Sequence, residues 1–579
     1  MKIDAYSVPF SRFLSYLSFN WLDAQWAKNS GVQPGLWLRK LHGDGQPEVF
    51  RLETVQTGNP VPFELEASAE ELQLRTEHGR VRLCLADADQ VRIRAEGVGL
   101  RLSMPDGMFN CAVDVGGGRW RLNAFSAWRE YTAVPLTGTL EVDAPWDVAK
   151  CTHVIADILP GDDGIGECAL HQSRGTAPLP DAYPGFDDTC QAVKAEFDRF
   201  FATYPPCRGD LQETARLAAY VNWASTVGPC DKLARPTMFM SKNWMTSVWS
   251  WDHCFNAMGL AAGNPELAWD QFMVVFDHQT PQGQIPDILN ATSKLYNFVK
   301  PPIHGWAYRT MMHANPDFFA KPERLAEVYN KLSAWSRWWL NFRAPDGDGL
   351  PTYHHGNDSG WDNGTVFDVG LPVKAPDAAA FLSLQMDVLA DLAERLGRAD
   401  DAGEWRRRAE FTLKNLLETL WVNDRFVTRH AIAGSVNEQA RSVIPCTPIV
   451  LGKRLPATVR GELVKRIEEN LTEWGPATES PDSPLYESNG YWRGPIWAPP
   501  TMILVDGLRA AGETQLANTI AERFCTLCAT SGFAENFDAV TGNPLCDKAY
   551  TWTASTFLLL ANSLAAPRYN YSLGSAPGS

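Results

Sequence analysis

Three stretches of this sequence carry carboxylates in settings that suit chemistry better than solvation: Val248-Trp-Ser-Trp-Asp-His253, Gly356-Asn-Asp-Ser-Gly-Trp-Asp-Asn-Gly-Thr-Val-Phe-Asp368 and Gly532-Phe-Ala-Glu-Asn-Phe-Asp-Ala-Val-Thr-Gly542. Two more, Pro281-Gln-Gly-Gln-Ile-Pro-Asp287 and Tyr491-Trp-Arg-Gly-Pro-Ile-Trp497, combine a backbone-setting Gly or Pro with an amide, a guanidinium or an indole. A pyranose has an apolar ring face that stacks on aromatic rings, and hydroxyls that take paired bonds from Asp, Gln and Arg. Trp251, Asp252, Gln284, Trp361, Arg493 and Trp497 are the candidates for such contacts. Acid–base chemistry on such a ring would draw on paired carboxyl groups, one protonated and one ionised. Asp252 and Asp362 each follow a Trp and precede polar residues, and Glu535 follows an apolar helix and precedes a Val-Thr-Gly turn from which it could point into a cleft, so these are the candidate carboxyls. Residue types alone do not choose between Asp252 and Asp362.

The bulk composition narrows the partner. The chain has 579 residues, 45% of them hydrophobic, and a net charge of -16, so nucleic acid and anionic membrane surfaces, which require a basic face, are excluded as expected partners. A small carbohydrate is the expected partner; oligomeric state is open. The 22 Trp residues fit either a sugar cleft or large aromatic cores. No run of about 18 apolar residues predicts a membrane span, and the first residues, MKIDAYSVPFSRF, lack the charged and apolar segments of a secretory signal. The twelve Cys are scattered, apart from Cys525 and Cys528, which read as small buried helix residues; a reduced cytoplasm is the expected compartment. No cofactor or metal is expected: His253, His278, His304, His354 and His355 show no i, i+4 ligand spacing and read as core or loop histidines.

Two kinds of element must position these loops. Between about Gly35 and Leu159 short runs alternate with period two, among them RVRLCLA, QVRIRAEG and GTLEVDA, and predict antiparallel strands of a β-sandwich. A Pro-, Gly- and Asp-rich transition spans about 160 to 190. Period 3.6 then takes over, for instance in PERLAEVYNKLSAWSRWWLNF and DAAAFLSLQMDVLADLAERLG, giving about twelve helices of ordinary length. Short links such as GRADDAGE join several of them as αα-hairpins, and six hairpins closed in a ring make an (α/α)6 barrel. The expected domains are 1–195, a β-sandwich with linker, and 196–579, the barrel. Two links are too long to be mere connections, one of about thirty residues after Phe342 and one from about Glu473 to Arg493.

Taken in order, Trp-Asp, Gly-x-Ile-Pro, Lys300-Pro-Pro-Ile-His-Gly-Trp306, Ser-Gly-Trp-Asp, Arg-Gly-Pro-Ile-Trp and Glu-Asn-Phe-Asp resemble glycoside hydrolase family 63 and the related trehalase family 37, over roughly residues 208 to 566. The resemblance implies an (α/α)6 barrel and hydrolysis of an α-glycosidic bond with inversion. On the matching positions it makes Asp362 the general acid and Glu535 the general base, with Trp251 and Asp252 lining the sugar subsite and His304 among the substrate-binding residues. Asp362 must then hold its proton near neutral pH while Glu535 stays ionised. The sequence departs from the family at Asn363-Gly364-Thr365, where small bacterial members often have Asn-Ser-Pro, and at Phe537, where many have Tyr; Lys242-Asn-Trp-Met-Thr-Ser replaces the Gly-Gly-Arg of trehalases. A small α-glucoside or α-mannoside, such as a glucosylglycerate or mannosylglycerate, is therefore expected ahead of trehalose. Two other readings compete: a sugar epimerase or isomerase using His354 and His355 for proton transfer, and a carbohydrate-binding protein without catalysis.

Overall fold

The computed structural model describes residues 1–566. Two compact units divide the chain. The first comprises Met1–Ala202, Ala219–Thr246 and Asn290–Thr292; the second comprises Thr203–Ala218, Ser247–Leu289 and the chain from Ser293 onward.

The first unit is a β-sandwich of two eight-stranded antiparallel sheets. One sheet runs Phe10–Ser11, Leu17–Leu22, Gly35–Lys40, Glu48–Gln56, Gly99–Ser103, Ile155–Leu159 and Thr139–Asp143, with Asn59–Val61 folded back on Glu48–Gln56. The other runs Cys111–Asp114, Trp120–Ala124, Arg129–Thr137, Ile165–Ser173, Gln90–Glu96, Arg80–Leu85, Leu72–Arg75 and Glu64–Ala67. Alternation explains the layering. Along Arg80–Leu85 and Gln90–Glu96, Val81, Leu83, Val91, Ile93 and Ala95 are buried. Their polar neighbours form a ladder of ion pairs, Arg80 with Glu96, Arg82 with Glu71, and Arg92 and Arg94 with Glu167. The transition near 160 to 190 is a correction: Ile165–Ser173 is a central strand there, paired on both sides. Gly166, Cys168, Leu170 and Gln172 are buried in alternation, but Gly and Gln at inward positions and the buried Ala169 between them hide that pattern in the sequence.

The second unit is an (α/α)6 barrel. Its inner ring is Asp252–Leu260, His304–Ala314, Pro376–Arg395, Ile444–Arg454, Ala498–Ala511 and Thr551–Ala565, each packed on the next and the last on the first. Outer helices return against it: Pro265–Met273 on Asp252–Leu260, Pro322–Phe342 and Ala399–Leu420 on Pro376–Arg395, Ala457–Glu469 on Ile444–Arg454, and Thr514–Ser531 on the last two inner helices. Close approach between inner helices depends on small residues. A Cβ at Gly305 would stand 2.7 Å from the Gln385 backbone, and the Gly305 N–H instead donates to Gln385 Oε1 at 3.0 Å. Polar staples join other neighbours: Asn256 donates to Thr551 Oγ1 at 2.9 Å, and Trp306 Nε1 to Asp506 Oδ2 at 2.7 Å.

Because outer helices run back between inner ones, the inner helices are parallel and their N-termini gather at one end of the ring. Every segment with candidate chemistry leads into one of those N-termini or pairs with one that does. Asp252 is the first residue of its helix, His304 the first of the next, and Trp497 caps Ala498–Ala511. The long segment after Phe342 is closed at its base by Thr352–Tyr353 pairing with Val373–Lys374. Glu535 immediately precedes the strand Asn536–Phe537, which pairs with Ile496–Trp497 on one side and Pro544–Leu545 on the other.

Candidate active site

Gly356–Ser359 and Thr365–Phe367 are single turns of 3-10 helix flanking Asp362, and a chain so short of regular bonds must be held by side chains. Asp358 does this from inside the loop. One oxygen accepts the Val299 N–H at 3.1 Å; the other accepts the His354 N–H at 2.8 Å and Arg343 Nη1 at 2.7 Å. Asn363 bridges to the facing segment, donating to Gly490 O at 3.0 Å and accepting the Trp492 N–H at 3.0 Å. Thr365 donates to the buried Glu479, which also accepts the Arg441 N–H at 2.7 Å and the Ser483 hydroxyl. Lys300 is buried, pairs with Asp287 at 3.1 Å and donates to both oxygens of Asn357.

Gly360 sets how closely this loop approaches the first Trp-Asp motif. It has φ 75°, and a Cβ there would stand 2.4 Å from the Trp251 indole carbons. Only glycine fits both the conformation and the contact. Asp362 follows, half-buried, and its carboxylate accepts no hydrogen bond among the described residues.

Glu535 is 6% exposed and surrounded by donors. The Tyr491 hydroxyl donates to Oε1 at 3.0 Å, and the Asp547 N–H faces Oε2 at 3.5 Å. Burial raises its carboxyl from 4.5 to about 7, the Asp547 and Asp362 charges push the same way, and the Tyr491 and Asp547 hydrogen bonds oppose them. Tyr491 is held in the left-handed region at φ 63°. Burial and the charge of Glu535 raise its hydroxyl, so it remains a donor. Asp252, buried, is raised well above the carboxylate range by desolvation, with Lys300 opposing and Asp287, Asp362 and Glu535 adding to the rise. Four carboxyls thus feel one another at the inner-helix N-termini, whose dipoles favour negative charge.

The aromatic residues depart from expectation. Trp251, Trp361 and Trp497 were expected as plates open to a sugar; all three are at most 2% exposed. Trp492 stacks on Trp497 at 3.8 Å and 8°, and meets Trp361 at 5.2 Å. Trp552 meets Trp251 and Trp497 edge-on at 6.0 and 5.6 Å. The rings form a wall in which each supports the others, so their faces are largely taken up by mutual packing.

Three polar candidates also move. Gln284 donates to Tyr296 O at 3.1 Å and braces its own loop. Arg493 grips Asp368 through both terminal nitrogens at 2.8 and 3.1 Å and Glu487 at 3.1 Å, tying the loop of Asp362 to its neighbour. His304 is a correction: it is fully buried against Phe272, Phe276 and Trp335, and burial drives its ring well below the usual range, so it is a neutral core imidazole. Its ligand atoms, with those of His253 and Cys254, lie within 4.8 Å of one another, a spacing a metal could use only after slight closure. His354 and His355 do not act as a pair. His354 contacts Thr352 Oγ1 at 3.2 Å, while His355 Nδ1 accepts the Asn357 N–H at 3.0 Å.

Tyr491 and Asp547 escaped the sequence reading. Tyr491 stood in a recognised motif, but nothing there reveals that a strained backbone aims its hydroxyl at Glu535. Asp547 lies beyond the turn, and only the pairing of Asn536–Phe537 with Pro544–Leu545 brings it alongside.

An (α/α)6 barrel whose inner-helix N-termini collect carboxyl groups against a tryptophan wall fits a glycoside hydrolase. Residues 245–553 match the mannosylglycerate hydrolase MGH1-like glycoside hydrolase domain, and the chain belongs to that family. It is similar to the mannosylglycerate hydrolase of Thermus thermophilus, 23% identical over 385 residues, which cover 54% of this chain and 93% of that one. Two solved structures share the fold. The GH63 mannosylglycerate hydrolase from Thermus thermophilus, in complex with Tris and D-glycerate, covers 60% of this chain and 99% of its own at TM-score 0.54 and 21% identity. A bacterial glucoamylase complexed with acarbose covers 99% of this chain and 95% of its own at TM-score 0.61 and 11% identity, and so spans the β-sandwich as well.

Proposed function

We propose that this chain is an inverting, exo-acting hydrolase of a small α-glycoside, with Asp362 as general acid, Glu535 as general base, and an α-mannoside or α-glucoside of a short polar acceptor such as glycerate as substrate. The observation that carries this is the contrast between the two carboxyls at one end of one ring. Asp362 has no protein hydrogen bond among the described residues and is free to meet a leaving oxygen. Glu535 accepts from Tyr491 and faces the Asp547 N–H, the setting that fixes a carboxylate to orient a water. Asp252 serves the sugar ring, and the Trp251 wall backs the loop that carries Asp362. The acceptor class follows from the relative named a mannosylglycerate hydrolase.

Hydrolysis of a panel of α-mannosides and α-glucosides, glycerate conjugates and trehalose included, with the fresh anomer followed by NMR, tests the reading. Initial release of the β-anomer of one sugar unit from the non-reducing end supports it; release of the α-anomer sinks the inverting mechanism.

The raised carboxyl of Glu535 favours a second reading, in which Glu535 is the acid and Asp362 the base. An α-glycosyl fluoride separates the two, because fluoride leaves without protonation. Under the first assignment Asp362→Ala keeps hydrolysing the fluoride and Glu535→Ala does not; the reverse pattern exchanges the roles.

A further inference from the structure

One face of the β-sandwich unit exposes large apolar side chains that its own fold leaves uncovered. Met108 is 67% exposed, Phe109 45%, Phe125 44%, Trp128 62%, Trp146 65% and Val148 90%. They come from three loops tied together by one buried residue, Asn110. Its side chain donates to Pro105 O at 3.1 Å and accepts the Ser126 N–H at 3.2 Å, and its carbonyl accepts the Cys151 N–H at 2.9 Å. Phe109 and Phe125 meet edge-on at 5.2 Å and 85°. Lys150 and Asp106 form an ion pair at 2.6 Å beside them.

The backbone beneath this face is strained where the apolar groups project. Phe109, Trp128 and Val148 have φ 62°, 55° and 56°. Left-handed backbone is costly for such residues, most of all for β-branched Val, at roughly 1–3 kcal/mol each. Asn or Gly would remove both the strain and the exposure.

Beside the patch lies Cys111–Asp114, the outermost strand of its sheet, which pairs with Trp120–Ala124 on one side; the hairpin Trp146–Cys151 packs against its start, where the Cys151 N–H donates to Asn110 O, and Val113 further along is 52% exposed. At about 150–250 Å² for a fully exposed aromatic, the six exposures total roughly 700 Å², close to the ~800 Å² one partner gives a standard interface. We propose that this face is a self-association surface, on which two copies of the chain meet about a two-fold axis, edge strand Cys111–Asp114 against its counterpart and Trp128, Trp146 and Val148 buried at the contact. A sugar platform would need open ring faces flanked by hydrogen-bonding groups. Here Phe109 and Phe125 pack edge-on, aliphatic Met108 and Val148 lie exposed among the rings' loops, and Met, Phe and Trp with a charged rim are the composition of a protein interface core. An unpaired edge strand is a ready template for the same strand of a second copy.

Light scattering coupled to size exclusion, with sedimentation across a concentration series, tests this on the full chain. The expected result is a dimer whose dissociation constant rises at least about 30-fold in Trp128→Asp/Val148→Asp, and also in Val113→Lys on the strand edge, with the melting temperature of neither variant lowered. A wild-type chain that stays monomeric at every concentration overturns the proposal. So does a dimer that survives in both folded variants. Retention of the wild-type chain by insoluble polysaccharide, lost in the double variant while both remain monomeric, overturns it in favour of a sugar surface.

Discussion

Asp362 and Glu535 stand at the same end of one helical ring and are held in opposite ways. The loop of Asp362 is anchored everywhere except at Asp362: Asp358, Asn363, Thr365 and Arg493 fasten its flanks, and the carboxylate itself is half-buried without a protein partner among the described residues. The strand of Glu535 is held at the carboxylate, which is nearly buried, bonded to Tyr491 and pushed up to about 7 by its surroundings. The first arrangement leaves a group exposed for a proton transfer to something not yet present. The second builds its environment in advance, at a cost in stability that grows as the group ionises.

The largest test removes each carboxyl in turn. Asp362→Asn and Glu535→Gln should each lower kcat by about 10²–10⁴-fold, the range of a lost general acid or base. Stability should separate them. The folded-state value of Glu535, about 7, lies above its ordinary 4.5, so its favourable contribution is complete below pH 4.5 and lost as pH rises through 7. At pH 8 the ionised buried group costs roughly 3 kcal/mol, and Glu535→Gln should recover much of that, seen as a higher denaturant midpoint at pH 8 and little change at pH 4. Asp362→Asn should move stability by no more than about 0.5 kcal/mol. If Glu535→Gln is no more stable than wild type at pH 8, burial does not penalise the ionised Glu535 and the two carboxyls are not held in opposite ways.

The next test breaks the approach of the loop rather than its carboxyl. Gly360→Ala puts a methyl 2.4 Å from Trp251 at φ 75°, so the loop must move away from the wall. A displacement of about 1 Å should lower kcat/KM by about 10–100-fold with both carboxyls intact, and kinetics together with a melting curve measure it. Unchanged kcat/KM would mean that Asp362 does not depend on contact with Trp251.

The sequence disclosed the loops better than the frame that holds them. Gly360, Trp361 and Asp362 were legible as a motif. The helix Asp252–Leu260 was not, because all nine of its residues are buried, Asp252, His253 and Asn256 included, so no face is left to water and no stripe of period 3.6 marks it. Ile444–Arg454 was hidden by Pro445 and Pro448 and by the break at Gly452, φ 52° and ψ -127°, which divides it into two 3-10 pieces. These are two of the inner helices, and the ring closes only through them. Outer helices such as Pro322–Phe342, with one face in water, were read correctly. The tryptophans failed for a related reason. Residue type says that an indole wants a flat partner, but not whether that partner is a sugar or another indole, and Trp492 on Trp497 gives the second answer.

The smallest effect probes the hydroxyl that holds Glu535. Tyr491→Phe removes a donor that lowers the carboxyl while leaving the ring to pack on Trp497 at 4.8 Å. Burial then acts with less opposition, so the carboxyl rises further. If Glu535 is the base, it works ionised, and the ascending limb of kcat against pH should move to higher pH by about one pH unit, the size of one hydrogen bond to a charged group. Activity at pH 6 should fall more than activity at pH 9. If Glu535 is instead the acid, the same substitution moves the descending limb upward and raises activity at high pH. One pH profile therefore reads both the strength of the Tyr491 contact and the direction in which the proton travels.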